Sequence, residues 1–260
     1  MNDFEFKKSL GQNFLHDDNI IDKIVSNANI DKDTLVIEIG PGAGSLSKKI
    51  VPLSGYSILY EIDTRLANVL NEVLNGNDNY EIIFNDFLKQ DIKNDIENHN
   101  YEKVYVVANL PYYITTPIIT KLMKEIYPDK IIVMVQDEVA DRLSALPGNR
   151  EYGVISALIG SRYKIKKLFK VSRNSFVPAP NVDSAVICLD KHNEYKINDF
   201  DKYEKLLKDA FQYKRKNLKN NLRKYDLNKI SKILDKYDLS LSVRAEDVNV
   251  EVFVEIANNI

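Results

Sequence analysis

Along the first two thirds of the chain, short runs rich in β-branched residues alternate with longer amphipathic or polar stretches, and that rhythm constrains the fold more than any other feature. Strands separated by helical segments cannot pair through tight hairpins; they return by crossovers and lie parallel. The predicted strands are Thr34–Ile39, Ser57–Ile62, Tyr80–Asn85, Val104–Ala108, Lys130–Val135, Tyr163–Val171 and Ser184–Leu189. Helical patterns fall at His16–Asn29, Leu46–Pro52, Thr64–Leu74, Thr116–Ile126, Glu138–Ser144 and Val154–Gly160. The last two strands are joined by FVPAPNVD, which leaves no room for a crossover helix, so they are expected to pair antiparallel at an edge. The expected class is α/β, a seven-stranded and mainly parallel sheet.

After Asp190 the composition shifts. Lys- and Asn-rich helical patterns at Phe200–Gln212, Lys216–Tyr225, Asn228–Tyr237 and Ala245–Asn258 contain no proline. A first domain over residues 1–194 and a small all-helical domain over 195–260 are expected.

Charge is segregated along the chain. The net charge is −2, yet Ser161–Lys224 holds seventeen Lys and Arg against seven Asp and Glu. Such a surplus suits a polyanion, and it also suits a solvated surface face. The candidate contacts are Arg162, Lys164, Lys166 and Lys167 near one strand, then Lys214, Arg215, Lys216, Lys219 and Arg223. Lys216, Lys219 and Arg223 are spaced for one helix face.

Several classes are excluded or disfavoured. With 44% apolar residues the chain builds a core, and its single cysteine, Cys188, forms no internal disulfide and reads as a core residue. The three histidines, His16, His99 and His192, show no ligand spacing, so no metal is expected. No apolar run spans a bilayer and the first residues lack a secretory core, so a cytoplasmic protein is expected; no oligomerisation motif is evident, and a monomer is expected.

The chemistry concentrates at strand ends. In LVIEIGPGAGSLSKKI, Gly40, Gly42 and Gly44 follow a β-branched run and precede a helix, where bare backbone can approach a ligand. The sixth position of a dinucleotide fingerprint is Ser45, so NAD or FAD fits poorly. Glu61 ends the next strand, where a carboxylate can accept from ribose hydroxyls, and Asp86 ends the third, placed for an adenine amine. Each alone also reads as an ordinary strand-end carboxylate or a helix cap.

The fourth strand ends in Asn109-Leu110-Pro111-Tyr112. An adenine's exocyclic amine is a poor nucleophile because its lone pair is delocalised into the ring. The Asn109 side-chain oxygen and the Leu110 carbonyl could each accept one of its N–H bonds, with Pro111 fixing the backbone that aims that carbonyl. Tyr112 offers a ring on which a base stacks, and Phe176, in an F-x-P-x-P loop stiffened by Pro178 and Pro180, is the candidate for the opposite wall or else a core residue.

An ordered set of segments runs through GQNFL (Gly11–Leu15), EIGPGAG (Glu38–Gly44), EID (Glu61–Asp63), ND (Asn85–Asp86), NLPY (Asn109–Tyr112), MVQDEVADRL (Met134–Leu143), YGVIS (Tyr152–Ser156), FVPAPNVDSAV (Phe176–Val186) and FQYKRKNLKNNL (Phe211–Leu222). With this set the chain resembles the ribosomal RNA adenine dimethyltransferase family. Within it, the resemblance is to bacterial members that dimethylate two adjacent adenosines near the 3′ end of small-subunit (16S) rRNA. It implies a Rossmann-like S-adenosylmethionine-dependent methyltransferase fold with a helical C-terminal RNA-binding domain. It also implies no metal, four methyl transfers per ribosomal subunit, and as partners small-subunit rRNA and the immature small subunit. The implied S-adenosylmethionine contacts are Asn13, Leu15, Gly40, Glu61, Asp86 and Asn109, with Gln12 a candidate near the methionine end. One departure is Asp137, where the family commonly carries a basic residue. A large-subunit rRNA adenine methyltransferase conferring macrolide resistance, and a ribosome-assembly checkpoint that uses methylation mainly to trigger release, remain the alternatives.

Overall fold

The computed structural model describes residues 13–260; Gln12 lies outside the described residues. In chain order the elements are β1 (Phe14–Leu15), α1 (Asp18–Ala28), β2 (Thr34–Ile39), α2 (Ser47–Ile50), β3 (Tyr56–Glu61), α3 (Ala67–Val73), β4 (Tyr80–Phe84), α4 (Ile92–Ile96), β5 (Lys103–Asn109) and α5 (Thr115–Glu125). There follow β6 (Lys130–Gln136), α6 (Asp137–Leu143), α7 (Val154–Gly160), β7 (Tyr163–Val171), β8 (Phe176–Val177) and β9 (Ser184–Lys191). Four helices complete the chain: α8 (Phe200–Ala210), α9 (Leu218–Asn221), α10 (Leu227–Leu234) and α11 (Val250–Asn259).

The seven-stranded sheet has the order β4-β3-β2-β5-β6-β9-β7. The first five strands pair in parallel, and β9 runs antiparallel to β6, with β7 beyond it at the edge. This is the Rossmann-like arrangement of methyltransferases. Every residue of β2 is buried, as a central parallel strand covered on both faces requires. Helix α1 shows how local sequence positions an element. Asp17 accepts the Asn19 and Ile20 N–H groups, Ile21, Ile24 and Ala28 turn one face inward, and Asn29 ends the helix at φ 52°. Leu15, Ile21, Ile24, Val36, Leu59, Val107, Met134 and Cys188 share one buried apolar cluster.

The chain forms two compact units. One comprises residues up to Ala140 with Lys166–Asp190, the other Asp141–Ile165 with Lys191–Ile260. Asp141–Ile165, expected with the sheet, thus belongs with the C-terminal helices. Within that second unit the buried Tyr203 hydroxyl of α8 donates to the Ala157 carbonyl of α7 at 3.2 Å, and a Cβ on Gly160 would lie 3.2 Å from Val250 of α11. Phe211 and Phe253 pack with ring centroids 5.7 Å apart. Among the described residues no helix is long and apolar enough to cross a membrane.

The helix expected over Lys216–Tyr225 is shorter. Asn217 accepts the Asn220 N–H and starts α9, which ends at Asn221, so Lys216 and Arg223 lie outside it and the single-face alignment with Lys219 is not formed.

Candidate active site at the carboxyl ends of the parallel strands

Strands β2 and β5 are hydrogen-bonded neighbours, with β3 and β4 on one side and β6 on the other. Strand order reverses between β2 and β5, and in open α/β sheets ligands bind at such a point, beyond the strand carboxyl ends. A cavity opens there. Its walls include Asn13, Phe14, Leu15, Glu38, Gly40, Gly42, Glu61, Asp86, Asn109, Leu110, Pro111 and Tyr112. Among the described residues, the expected cofactor and base-binding residues thus converge, apart from Gly44 and Phe176.

Gly40, Gly42 and Gly44 adopt φ of 72°, 59° and 79°, values that side chains with a Cβ disfavour. Their surroundings differ. An added Cβ on Gly42 would fall 2.5 Å from the Phe14 ring, so the N-terminal segment lies directly over the turn. A Cβ on Gly44 would meet Val73 of α3 at 3.0 Å and Leu70 at 3.3 Å. Gly44 therefore packs against α3 and is not among the residues lining the cavity.

Glu61, 5% exposed at the end of β3, accepts the Gly42 N–H at 3.0 Å and the Asp63 N–H at 2.9 Å, one on each oxygen. Burial raises its pKa, and the backbone bonds oppose that rise. Asp86 caps the turn after β4 by accepting the Leu88 N–H at 3.0 Å. Each carboxylate oxygen carries two lone pairs, so both groups retain acceptor capacity. Glu38 is 1% exposed, and among the described residues its Oε2 has no hydrogen-bond partner. Burial pushes its carboxyl up to about 8, helped by the nearby Glu61 charge and opposed by the Ser47 hydroxyl.

Asn109 ends β5, and its Nδ2 donates to the Asn13 carbonyl at 3.1 Å. That acceptor fixes which end of the amide is nitrogen, and so leaves Oδ1 as the acceptor for a ligand. Leu110 is held by its N–H on the Met134 carbonyl of β6 at 3.2 Å, and Pro111 stops the strand at φ −58°. The Tyr112 hydroxyl bonds the Ser184 hydroxyl of β9 at 2.7 Å, and burial raises its pKa. Ser184, fully buried, was not singled out from sequence; nothing marks a strand serine as the partner of a tyrosine 72 residues earlier.

Phe176 is placed differently from the expected base slot. It is 2% exposed, stands opposite Leu15 in the β1–β8 pair and belongs to the buried apolar cluster. It is not a wall of this cavity. Besides Tyr112, the aromatic residues lining it include Phe14, Phe87 and Tyr113, the last 60% exposed.

The basic segment is partly spent on internal contacts. Lys167 and Lys170 both pair with Asp137, at 2.5 and 2.9 Å, and hold its carboxyl below the usual carboxylate range. Lys164 pairs with Glu194 at 2.6 Å, and the Arg162 guanidinium stacks 3.8 Å from the Phe200 ring centroid. These four engaged cations are poor candidates for free phosphate contacts. Lys166, Lys214, Arg215, Lys216, Lys219 and Arg223 are exposed. Among the described residues no cluster of three or more His, Cys, Asp or Glu side chains is placed to hold a metal.

A model of the family "Ribosomal RNA adenine dimethylase" matches residues 3–260. The chain belongs to this family. Its relatives include the ribosomal RNA small subunit methyltransferase A of Oceanobacillus iheyensis, 39% identical over 98% of this chain and 90% of the relative. The protein of the same name from Staphylococcus aureus is 45% identical over 85% of this chain and 76% of its own length. Among solved structures, a dimethyladenosine transferase from Plasmodium falciparum superposes with a TM-score of 0.79 at 26% identity, covering 94% of this chain and 95% of that one. The 23S rRNA methyltransferase ErmE gives 0.72 at 26% identity, covering 95% and 99%. The dimethylase family uses S-adenosylmethionine, and the cavity fits it. The unspent acceptors of Glu61 and Asp86 suit a nucleoside, and the bare turn at Gly40 and Gly42 lets the ligand approach backbone.

Proposed function

We propose that this dimethylase acts on two adjacent adenosines near the 3′ end of small-subunit rRNA, in the immature small subunit, as a cytoplasmic and metal-free monomer. The observation that carries the reading is Asn109, anchored on the Asn13 carbonyl beside Tyr112, within a chain matched to the family over residues 3–260. The small-subunit assignment is supported by the names of relatives at 39% and 45% identity. The same reading gives the helical C-terminal region, residues 195–260 with Asp141–Ile165 packed against it, the role of gripping RNA.

S-adenosylmethionine, when bound, supplies an electrophilic methyl group. Asn109 Oδ1 and the Leu110 carbonyl accept the two N–H bonds of the target amine, which turns its lone pair out of conjugation and orients it. Tyr112 stacks the extruded base, and its ring is fixed by the Ser184 bond. No strong general base is required of the protein, because the methylated amine is cationic and loses its proton readily to water. For the second transfer only one N–H remains to anchor, so the slot accommodates a methyl where a hydrogen stood.

The test is methyl transfer from labelled S-adenosylmethionine to unmethylated small subunits, large subunits and free rRNA, with products mapped by nucleoside mass spectrometry. Dimethyladenosine at two adjacent small-subunit positions is expected; transfer confined to the large subunit would overturn the assignment. Tyr112→Ala is expected to lower turnover about 10- to 100-fold, the scale of one lost base–aromatic stack. Its affinity for S-adenosylmethionine should stay within about threefold, since only the target base is asked to stack there. Weaker cofactor binding with undiminished turnover would rule out the stacking role.

A further inference from the structure

Between α8 and α9 the segment Tyr213-Lys214-Arg215-Lys216 makes a turn, closed by the Lys216 N–H on the Tyr213 carbonyl at 2.9 Å. Three consecutive cations repel one another and would splay on a loose loop. This loop is tied down. Asn221, 6% exposed, sits beneath it and directs Nδ2 to the carbonyls of Ala210, Tyr213 and Lys216 at 2.7, 3.3 and 3.4 Å. All three partners are acceptors, so the amide can present only its nitrogen to them. Beyond the turn, the Leu218 and Lys219 N–H groups donate to the carbonyls of Val243 and Leu241 at 2.9 and 3.0 Å.

On this fixed turn the Tyr213 ring is 58% exposed, while Tyr152 and Tyr203 of the same unit are buried at 2% and 0%. A lone exposed aromatic needs no explanation. An exposed ring held on an ordered turn together with three exposed cations is another matter. That combination is the chemistry of single-stranded nucleic-acid binding, in which bases stack on a π-face and cations hold the flanking phosphates. An acidic protein partner would use the charges and leave the ring without a role.

We propose that Tyr213 is a second base-stacking site, remote in sequence from the methyl-transfer cavity, on which an unpaired base of the RNA substrate stacks while Lys214, Arg215 and Lys216 contact adjacent phosphates. The proposal rests on the rRNA reading above and extends it to a contact that reads bases as well as charge.

The two kinds of contact separate by salt. Stacking is insensitive to ionic strength, whereas each phosphate contact releases counterions and adds about one to the slope of log affinity against log salt. Full-length protein is titrated against labelled, unmethylated small subunits at several KCl concentrations. Tyr213→Ala should weaken binding about tenfold at every concentration with an unchanged slope, Tyr213→Phe should match wild type, and Lys214→Ala should lower the slope by about one. Wild-type affinity in Tyr213→Ala overturns the proposal. So does a loss shared equally by Tyr213→Phe, which would implicate the hydroxyl, or a lower melting temperature of Tyr213→Ala, which would make its loss one of fold. Each of these leaves the functional reading standing if the wild type methylates small subunits. A wild type that neither binds nor methylates them overturns both.

Discussion

Asn109→Ala is expected to lose methyl transfer to both adenosines by about 10²- to 10³-fold, the scale seen when one preorganised hydrogen-bonding group is removed from a reacting centre. The effect exceeds that of a lost hydrogen bond because the amide does two things. Its nitrogen end is committed to the Asn13 carbonyl at 3.1 Å, which holds the side chain in one orientation, and its oxygen end accepts from the target amine. Alanine removes the acceptor that orients the nucleophile. It also removes the tie to the N-terminal segment, whose Phe14 lies over Gly42. One neutral hydrogen bond contributes about 1 kcal/mol, so S-adenosylmethionine affinity should fall only about fivefold. Single-turnover methylation and calorimetric cofactor binding separate the two effects. Turnover within tenfold of wild type would remove Asn109 from the chemistry.

What sequence reveals and what it hides follows the range of the interaction. Strand β2 appears with its expected limits because a β-branched run is bounded by a charged turn and by glycines, all local signals. The carboxyl-end placement of Glu61, Asp86 and Asn109 follows from the same local reading once the strands lie parallel. The β1–β8 pair has two residues per strand and therefore no periodicity to detect. Its formation is what carries Phe176 inward against Leu15, away from the slot expected of it. Gly44 illustrates a different limit: the need for a missing Cβ is legible, but whether it serves a ligand or a helix depends on Val73, 29 residues later.

Charge was legible as a surplus and hidden as pairing. Asp137, the departure from the family's basic residue, pairs with Lys167 and Lys170 from β7, so one carboxylate engages two lysines of the basic segment. The cations left exposed after such pairing concentrate at residues 214–223, and that subtraction is possible only in three dimensions.

Glu38→Gln is expected to stabilise the protein at alkaline pH and leave it unchanged in acid. The carboxyl is buried, its Oε2 has no partner among the described residues, and its pKa rises from 4.5 to about 8, chiefly through burial. Below pH 4.5 the group is neutral in both folded and unfolded chains and costs nothing. Between 4.5 and about 8 the unfolded chain ionises while the folded one resists, so stability contributed by the neutral acid is lost progressively as pH rises. Above that range both states are charged and the penalty is constant. The displacement corresponds to about 5 kcal/mol at its limit. An amide cannot ionise, so the variant escapes this slope; its polar atoms stand where those of the neutral acid stood and cost the same at every pH, which leaves a gain of about 4 kcal/mol at pH 8. Glutamine should therefore melt within about 1 °C of wild type near pH 4 and about 8–15 °C higher at pH 8. Parallel melting curves across that interval would show that Glu38 is already ionised in the folded protein, with a partner for Oε2 that the fold does not otherwise provide.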